Sequence, residues 1–337
     1  MHYLITGHTG FKGAWLTLML REGGHTVSGI ALDPLPRSLF ERTALQGEFA
    51  SDERLDIRDA IVVGEALGRI QPDVVIHLAA QPLVRESYRD PRGTLETNVW
   101  GTLNVLEAVR STPSVQACLV VTTDKVYRND GRLKGYVESD PLGGHDPYSV
   151  SKAMADLAAQ SVRASFGGPP IAIARAGNVI GGGDIAEDRL VPDLLSAFSA
   201  GTPARIRNPR AVRPWQHTLD CLSGYLLLVE AMLAGGVEGE WNFGPDPASI
   251  RTVGEVADAV VARWGPPASW EVDAGQHPHE AAVLTLDASK ARKELGWHDR
   301  LDLDAALAWT IDWAQAVRSG ESAVDVSRQQ VRDFLSR

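Results

Sequence analysis

The chain has 337 residues, with 43 acidic against 33 basic side chains and a net charge of −10. That length fits one large α/β domain or a main domain with a smaller one, and the acidic balance argues against nucleic acid held by general electrostatics. Two cysteines, Cys118 and Cys221, give neither a disulfide framework nor a zinc spacing. With no basic leader and no apolar stretch long enough for a bilayer, a cytoplasmic protein without a membrane partner is expected.

Residues 3–6 form an apolar run that reads as a buried strand, and it leads directly into Thr6-Gly7-His8-Thr9-Gly10-Phe11-Lys12-Gly13. Glycines spaced G-x-x-G-x-x-G between a strand and a helix make a tight turn and let the backbone approach a pyrophosphate. The helix N-terminus then presents amide groups to the anion. Gly7, Thr9, Gly10, Phe11, Lys12 and Gly13 are therefore candidate cofactor ligands. A second strand over 26–32 runs into Asp33, about 20 residues after Gly13, where a carboxylate binds a ribose 2′-hydroxyl and repels a 2′-phosphate. This favours NAD over NADP, with Arg37 nearby as the opposing signal. Asp56 and Ile57 are placed to flank the adenine, and Leu78, Ala79 and Ala80 give a small-residue strand end; Asn98 joins this cofactor set.

Further apolar runs at 74–79, 117–122 and 171–174 read as strands buried on both faces. They alternate with helically spaced segments at 11–21, 61–70, 94–110 and 148–165. Such alternation predicts a Rossmann-type, doubly wound parallel sheet. The 117–122 strand ends on Thr123-Asp124-Lys125, and the 148–165 helix opens with Tyr148-Ser149-Val150-Ser151-Lys152. Tyr148 and Lys152 lie one turn apart on a shared face, so the ammonium can sit beneath the phenol and lower its pKa. With the Thr123 hydroxyl, they can take a proton from an alcohol. Asp124 and Lys125 add groups for a second proton transfer.

Beyond residue 177 the pattern is less regular. Residues 177–183 form a glycine-rich loop, 192–200 a helix, 205–214 a basic exposed loop or edge hairpin, and 219–234 an apolar helix. Helices are also expected over 253–264 and 303–317. The expected division is a cofactor domain over 1–177 plus about 218–245, interleaved with a smaller α/β substrate domain over 178–217 and 246–337. Asn178, Arg189, Arg205 and Arg213 are candidates for a diphosphate, to which guanidinium forks are suited. Gln81 and Arg85 are placed for the hexose or its phosphates, and Trp215 for a base or for packing. His277, His279 and Glu280 match no common zinc spacing, so no metal is expected; His279 is assigned to the substrate pocket.

These motifs resemble the extended short-chain dehydrogenases/reductases that modify nucleotide sugars. More narrowly they resemble the CDP-glucose 4,6-dehydratases, through TGHTGFKGAWL, HLAAQPLVR, DPYSVSK, RAGNVIGGGD, RPWQH, WNFGP, HPHEA and GWH. The resemblance implies a lyase that oxidises C4 of a nucleoside diphosphate hexose with NAD, eliminates water across C5 and C6, and returns hydride to C6. It implies Tyr148 as the base at the 4-hydroxyl, Thr123 as its hydrogen-bonding partner and Lys152 on the nicotinamide ribose. Asp124 would protonate the departing hydroxyl. Lys125, standing where sugar dehydratases commonly carry Glu, would take the C5 proton or stabilise the enolate. A homodimer or homotetramer is also implied. A 4-epimerase, another hexose substrate and a non-catalytic NAD-binding regulator are the alternatives.

Overall fold

The protein is described by a computed structural model covering residues 1–275 and 283–337. Seven parallel strands form its main sheet: β1 (His2–Thr6), β2 (Thr26–Ala31), β3 (Ser51–Arg54), β4 (Val74–His77), β5 (Ala117–Val121), β6 (Ile171–Ala176) and β7 (Gly239–Phe243). Their order is β7-β6-β5-β4-β1-β2-β3. The order reverses between β1 and β4, which opens the crevice that dinucleotides occupy in such sheets.

Alternation along each strand divides the core. Ile5, Ile76, Leu119 and Ala174 face one apolar layer with Trp15 and Leu222, under the helices Phe11–Glu22 and Thr218–Leu233. Leu4, Val75, Cys118, Val120 and Ile173 face the other, under Ala60–Ile70, Gly101–Arg110 and Pro147–Ser165. Burial on both faces explains why these strands are continuously apolar in sequence.

The five expected strands and the parallel sheet are present. Three features differ from expectation. The sheet gains β3 (SDER) at its edge and β7 (GEWNF), whose polar residues hide their strand character. The 94–110 segment is a short helix Pro91–Leu95, a wide π turn Glu96–Trp100 and the helix Gly101–Arg110. Residues 205–214 are no hairpin: Ala204–Ile206 pairs with Trp270–Val272, whereas Val212–Pro214 pairs with Ile250–Thr252. Among the described residues no helix is long and apolar enough to cross a membrane.

Candidate active site

The glycine turn is packed too closely for side chains. A Cβ on Gly7, whose φ is +76°, would lie 2.8 Å from the Ala79 backbone, and one on Gly13 would lie 2.3 Å from the Gly7 carbonyl oxygen. Gly10 caps the Phe11–Glu22 helix without a side-chain bond, so no side chain competes for its first amides. The turn is braced by Thr6, whose Oγ1 lies 2.7 Å from His77 Nδ1 and accepts from Ala79 N at 3.1 Å. His77 Nε2 lies 3.0 Å from Thr102 Oγ1, and burial drives this imidazole down to about 3, keeping it neutral.

A cavity of about 1200 Å³ begins at this turn. Gly7, Thr9, Gly10, Phe11, Lys12 and Gly13 line it, as do Asp56, Ile57, Leu78, Ala79 and Ala80. These residues form a cradle that admits a dinucleotide backbone. Lys12 Nζ donates to Tyr225 Oη at 3.3 Å, and Asp56 is held below the usual carboxylate range by its bond from Arg58. Two members of the expected set stand off the wall. Asp33 lies past the end of β2 with its side chain 91% exposed, 3.6 Å from Arg54 Nε. Asn98 is buried in the π turn, where it accepts from Gln81 N at 2.8 Å and donates to Ser151 Oγ at 2.8 Å.

The cavity continues past the end of β5. Thr123 caps a short 3₁₀ turn, Asp124–Val126, and its Oγ1 donates to Asp124 Oδ1 at 2.9 Å. Lys125 Nζ lies 3.8 Å from that same oxygen. Opposite, Asp146 caps the Pro147–Ser165 helix by accepting from Ser149 N at 2.9 Å, with Pro147 in the first turn. This presents Tyr148 and Lys152 to the cavity, both buried. Lys152 Nζ donates to Val121 O at 2.9 Å. Burial lowers Lys152 to about 8, with Asp156 opposing the shift. Burial pushes the Tyr148 phenol up to about 12, outweighing the lowering from its Thr123 hydrogen bond. In the ligand-free protein the phenol therefore carries its proton, contrary to the simple expectation from the Tyr/Lys spacing. Asp124 lies behind the wall, with Oδ2 3.1 Å from where a Gly177 Cβ would stand.

Sequence reasoning missed the support beneath this group. Arg175 on β6 donates to both oxygens of Asp156, at 2.8 and 2.7 Å, and to Tyr127 Oη at 3.0 Å. The pair is fully buried and fixes the Tyr148-bearing helix to the sheet.

On the far side the cavity is lined by Gln81, Arg85, Asn178, Arg189, Arg205, Arg213 and Trp215. Arg189 pairs with Asp184 at 2.9 Å, and Arg205 pairs with Glu271 at 3.1 Å with its side chain 73% exposed. Arg213 is largely buried and donates to Val212 O at 2.8 Å; Trp215 Nε1 donates to Arg251 O at 3.1 Å. The sequence gives no signal for Asp188, which meets Arg207 of the basic 205–214 stretch at this wall. His277, His279 and Glu280 lie outside the described residues. Among the described residues no group of three or more His, Cys, Asp or Glu side chains could hold a metal ion.

Residues 4–310 match the family model described as GDP-mannose 4,6 dehydratase. The chain is 44% identical to a CDP-glucose 4,6-dehydratase of Salmonella typhimurium, over 98% of this chain and 95% of that protein. It is 31% identical to a dTDP-glucose 4,6-dehydratase of Streptomyces griseus, over 94% and 95%. Among solved structures, a dTDP-glucose 4,6-dehydratase from Streptomyces venezuelae with NAD bound superposes with a TM-score of 0.81 at 25% identity, over 95% and 98% of the two chains. A UDP-glucose 4-epimerase from Stenotrophomonas maltophila gives a TM-score of 0.83 at 22% identity, over 95% and 100%, a likeness of fold.

Proposed function

Because this chain belongs to the GDP-mannose 4,6 dehydratase family, we propose that it catalyses the NAD-dependent 4,6-dehydration of a nucleoside diphosphate hexose, with CDP-glucose as substrate and CDP-4-keto-6-deoxyglucose as product. The observation that carries this reading is a second pair of proton-transfer groups at the strand end that faces Tyr148. Tyr148, Thr123, Lys152 and Lys125 line the cavity, and Asp124 stands directly behind the wall, bonded to Thr123 and 3.8 Å from Lys125. The cytidine base rests on the Salmonella relative's name.

NAD, when bound, supplies the hydride acceptor for C4 and the donor for C6. Tyr148 takes the 4-hydroxyl proton, and Thr123 hydrogen-bonds the same oxygen. Lys152 holds the nicotinamide ribose, and its positive charge favours the phenolate. The 4-ketone acidifies the C5 proton, which Lys125 removes and then carries as an ammonium beside the enolate. Asp124 gives a proton to the 6-hydroxyl as it leaves as water. Returning hydride to C6 and a proton to C5 completes a net loss of one water. Asp33 and Asp56 are assigned to the adenosine half of the cofactor; Arg189, Arg205 and Arg213, with Asn178, Gln81 and Trp215, are assigned to the nucleotide sugar.

We assign residues 1–177 with about 218–245 to the cofactor domain and the remainder to the substrate domain, in a cytoplasmic homodimer or homotetramer. The deciding experiment supplies CDP-, dTDP-, GDP- and UDP-glucose in deuterated water and follows the keto product. Dehydration places solvent deuterium at C5 of the CDP sugar. Turnover with C5 left unlabelled sinks the reading, since an enzyme that only inverts C4 never opens that bond.

A further inference from the structure

One cation of the cofactor cradle has no acidic partner. Lys12 is the second residue of the Phe11–Glu22 helix, whose first turn holds no acidic side chain, and a positive charge there opposes the helix dipole. It is half-buried and lines the cavity. Its Nζ donates to Tyr225 Oη at 3.3 Å and to Cys221 Sγ at 3.8 Å. Burial holds the Tyr225 phenol well above its ordinary value and raises the Cys221 thiol, so both stay neutral. Among the described residues no carboxylate pairs with Lys12, and its charge is left uncancelled.

Its position decides what this charge can act on. Lys12 starts beside the glycine turn, but its ammonium is anchored on the helix Thr218–Leu233, which carries both Cys221 and Tyr225. From there it repels the Lys152 ammonium, adding to the burial that lowers that amine. Tyr225, its anchor, lies within electrostatic reach of Tyr148. A pyrophosphate at the glycine turn accounts for a cation near the turn. It does not account for one held within reach of a second ammonium at the Tyr148 end. In the proposed reaction the C4 hydride leaves beside Tyr148, so the nicotinamide belongs at this same end.

We propose that Lys12 sets the redox balance of the bound cofactor: together with Lys152 it disfavours the positively charged oxidised nicotinamide and favours the neutral reduced one. The inference rests on the reading above in placing the nicotinamide beside Tyr148. Hydride transfer from C4 cancels the charge on the ring while the alcohol proton passes to Tyr148, so a repulsion present before oxidation is relieved by it. Lys12 thereby favours C4 oxidation and the keto intermediate on which the elimination depends. The opposing effect is a weaker grip on the oxidised cofactor.

The test titrates the full chain, freed of nucleotide, with NAD⁺, NADH and ADP-ribose by calorimetry. Lys12→Met keeps the length of the side chain and removes its charge. It should shift the ratio of the NAD⁺ and NADH dissociation constants about tenfold in favour of NAD⁺. ADP-ribose, which lacks the nicotinamide, should bind within about twofold of the parent. Lys12→Arg keeps the charge and should keep the parent ratio; a ratio shifted there as well would assign the effect to shape and overturn the proposal. Lys12→Gln repeats the measurement should the methionine variant be unstable. An unmoved ratio also overturns it, and equal weakening of all three ligands would make Lys12 a ligand of the pyrophosphate alone. Parent turnover in the deuterium experiment judges the dehydratase reading separately.

Discussion

Thr123, Asp124 and Lys125 occupy three consecutive positions, and their geometry divides the labour of the site. The Thr123 hydroxyl donates to Asp124 while standing at the cavity opposite Tyr148, so in the proposed reaction one strand end would serve both proton transfers. Their separation can be measured. Tyr148→Phe removes the first step and should lower kcat by about 10²–10⁴-fold, with no build-up of reduced cofactor. Asp124→Asn should leave C4 oxidation intact but slow the loss of water by a similar factor, so reduced cofactor accumulates in the near-ultraviolet spectrum during turnover. Absence of that accumulation would show that Asp124 is not the acid at O6. These residues were legible in the sequence because strand, turn and helix N-terminus follow each other there. The pairing of Asp188 with Arg207 was not, since it joins positions 19 residues apart in two loops that no local pattern brings together.

The helices hold polar groups that matter as much as their apolar faces. Asp220, in the first turn of Thr218–Leu233, is fully buried; its Oδ1 accepts from Arg300 N at 2.7 Å, and the Leu301 N–H also faces the carboxylate. Burial raises its carboxyl from 3.8 to about 7. The folded state therefore binds the extra proton across that window, and this contribution to stability is present at low pH and lost as pH rises through about 7. Asp220→Asn should flatten this slope. Relative to the parent, its melting temperature should gain several degrees at about pH 8 and little at about pH 5. An equal change at both pH values would contradict the assignment. Half-buried Asp299, also raised by partial burial, leaves a residual slope in the same direction. At this scale the sequence was readable where apolar periodicity is strong, as in Ala60–Ile70 and Val253–Trp264. It failed where polar residues are buried through specific bonds. In β7, Asn242 satisfies its side chain by accepting from Tyr127 Oη at 2.7 Å and donating to Tyr136 O at 2.8 Å. The π turn was hidden because Asn98 reaches Gln81 only once the chain has folded.

Trp100, Met154 and Leu157 leave substantial apolar surface exposed on the neighbouring 91–110 and 147–165 segments. Surfaces of this kind mark association sites, and here they support the dimer proposed above. Leu157→Glu should convert the assembly to a monomer in sedimentation experiments while leaving NAD binding within about twofold, as expected for a surface remote from the cofactor cradle. A parent chain that already sediments as a monomer would refute the assignment of this face. A different consequence concerns the order in which the molecule acquires its shape. β7 lies directly beside β6, yet the two are separated in sequence by the whole stretch that carries Arg189, Arg207 and Arg213. Joining them requires the ends of a long loop to meet before any ladder bond rewards the closure, which makes such pairings slow. The edge strand should therefore lock late in refolding, with Trp241 on β7 reporting the moment of closure by its fluorescence. Until then the arginine-bearing stretch is held by β6 and by the packing of Thr218–Leu233 on the sheet, without the pairing that closes it at β7, so a finished substrate cavity and a finished sheet should arrive together.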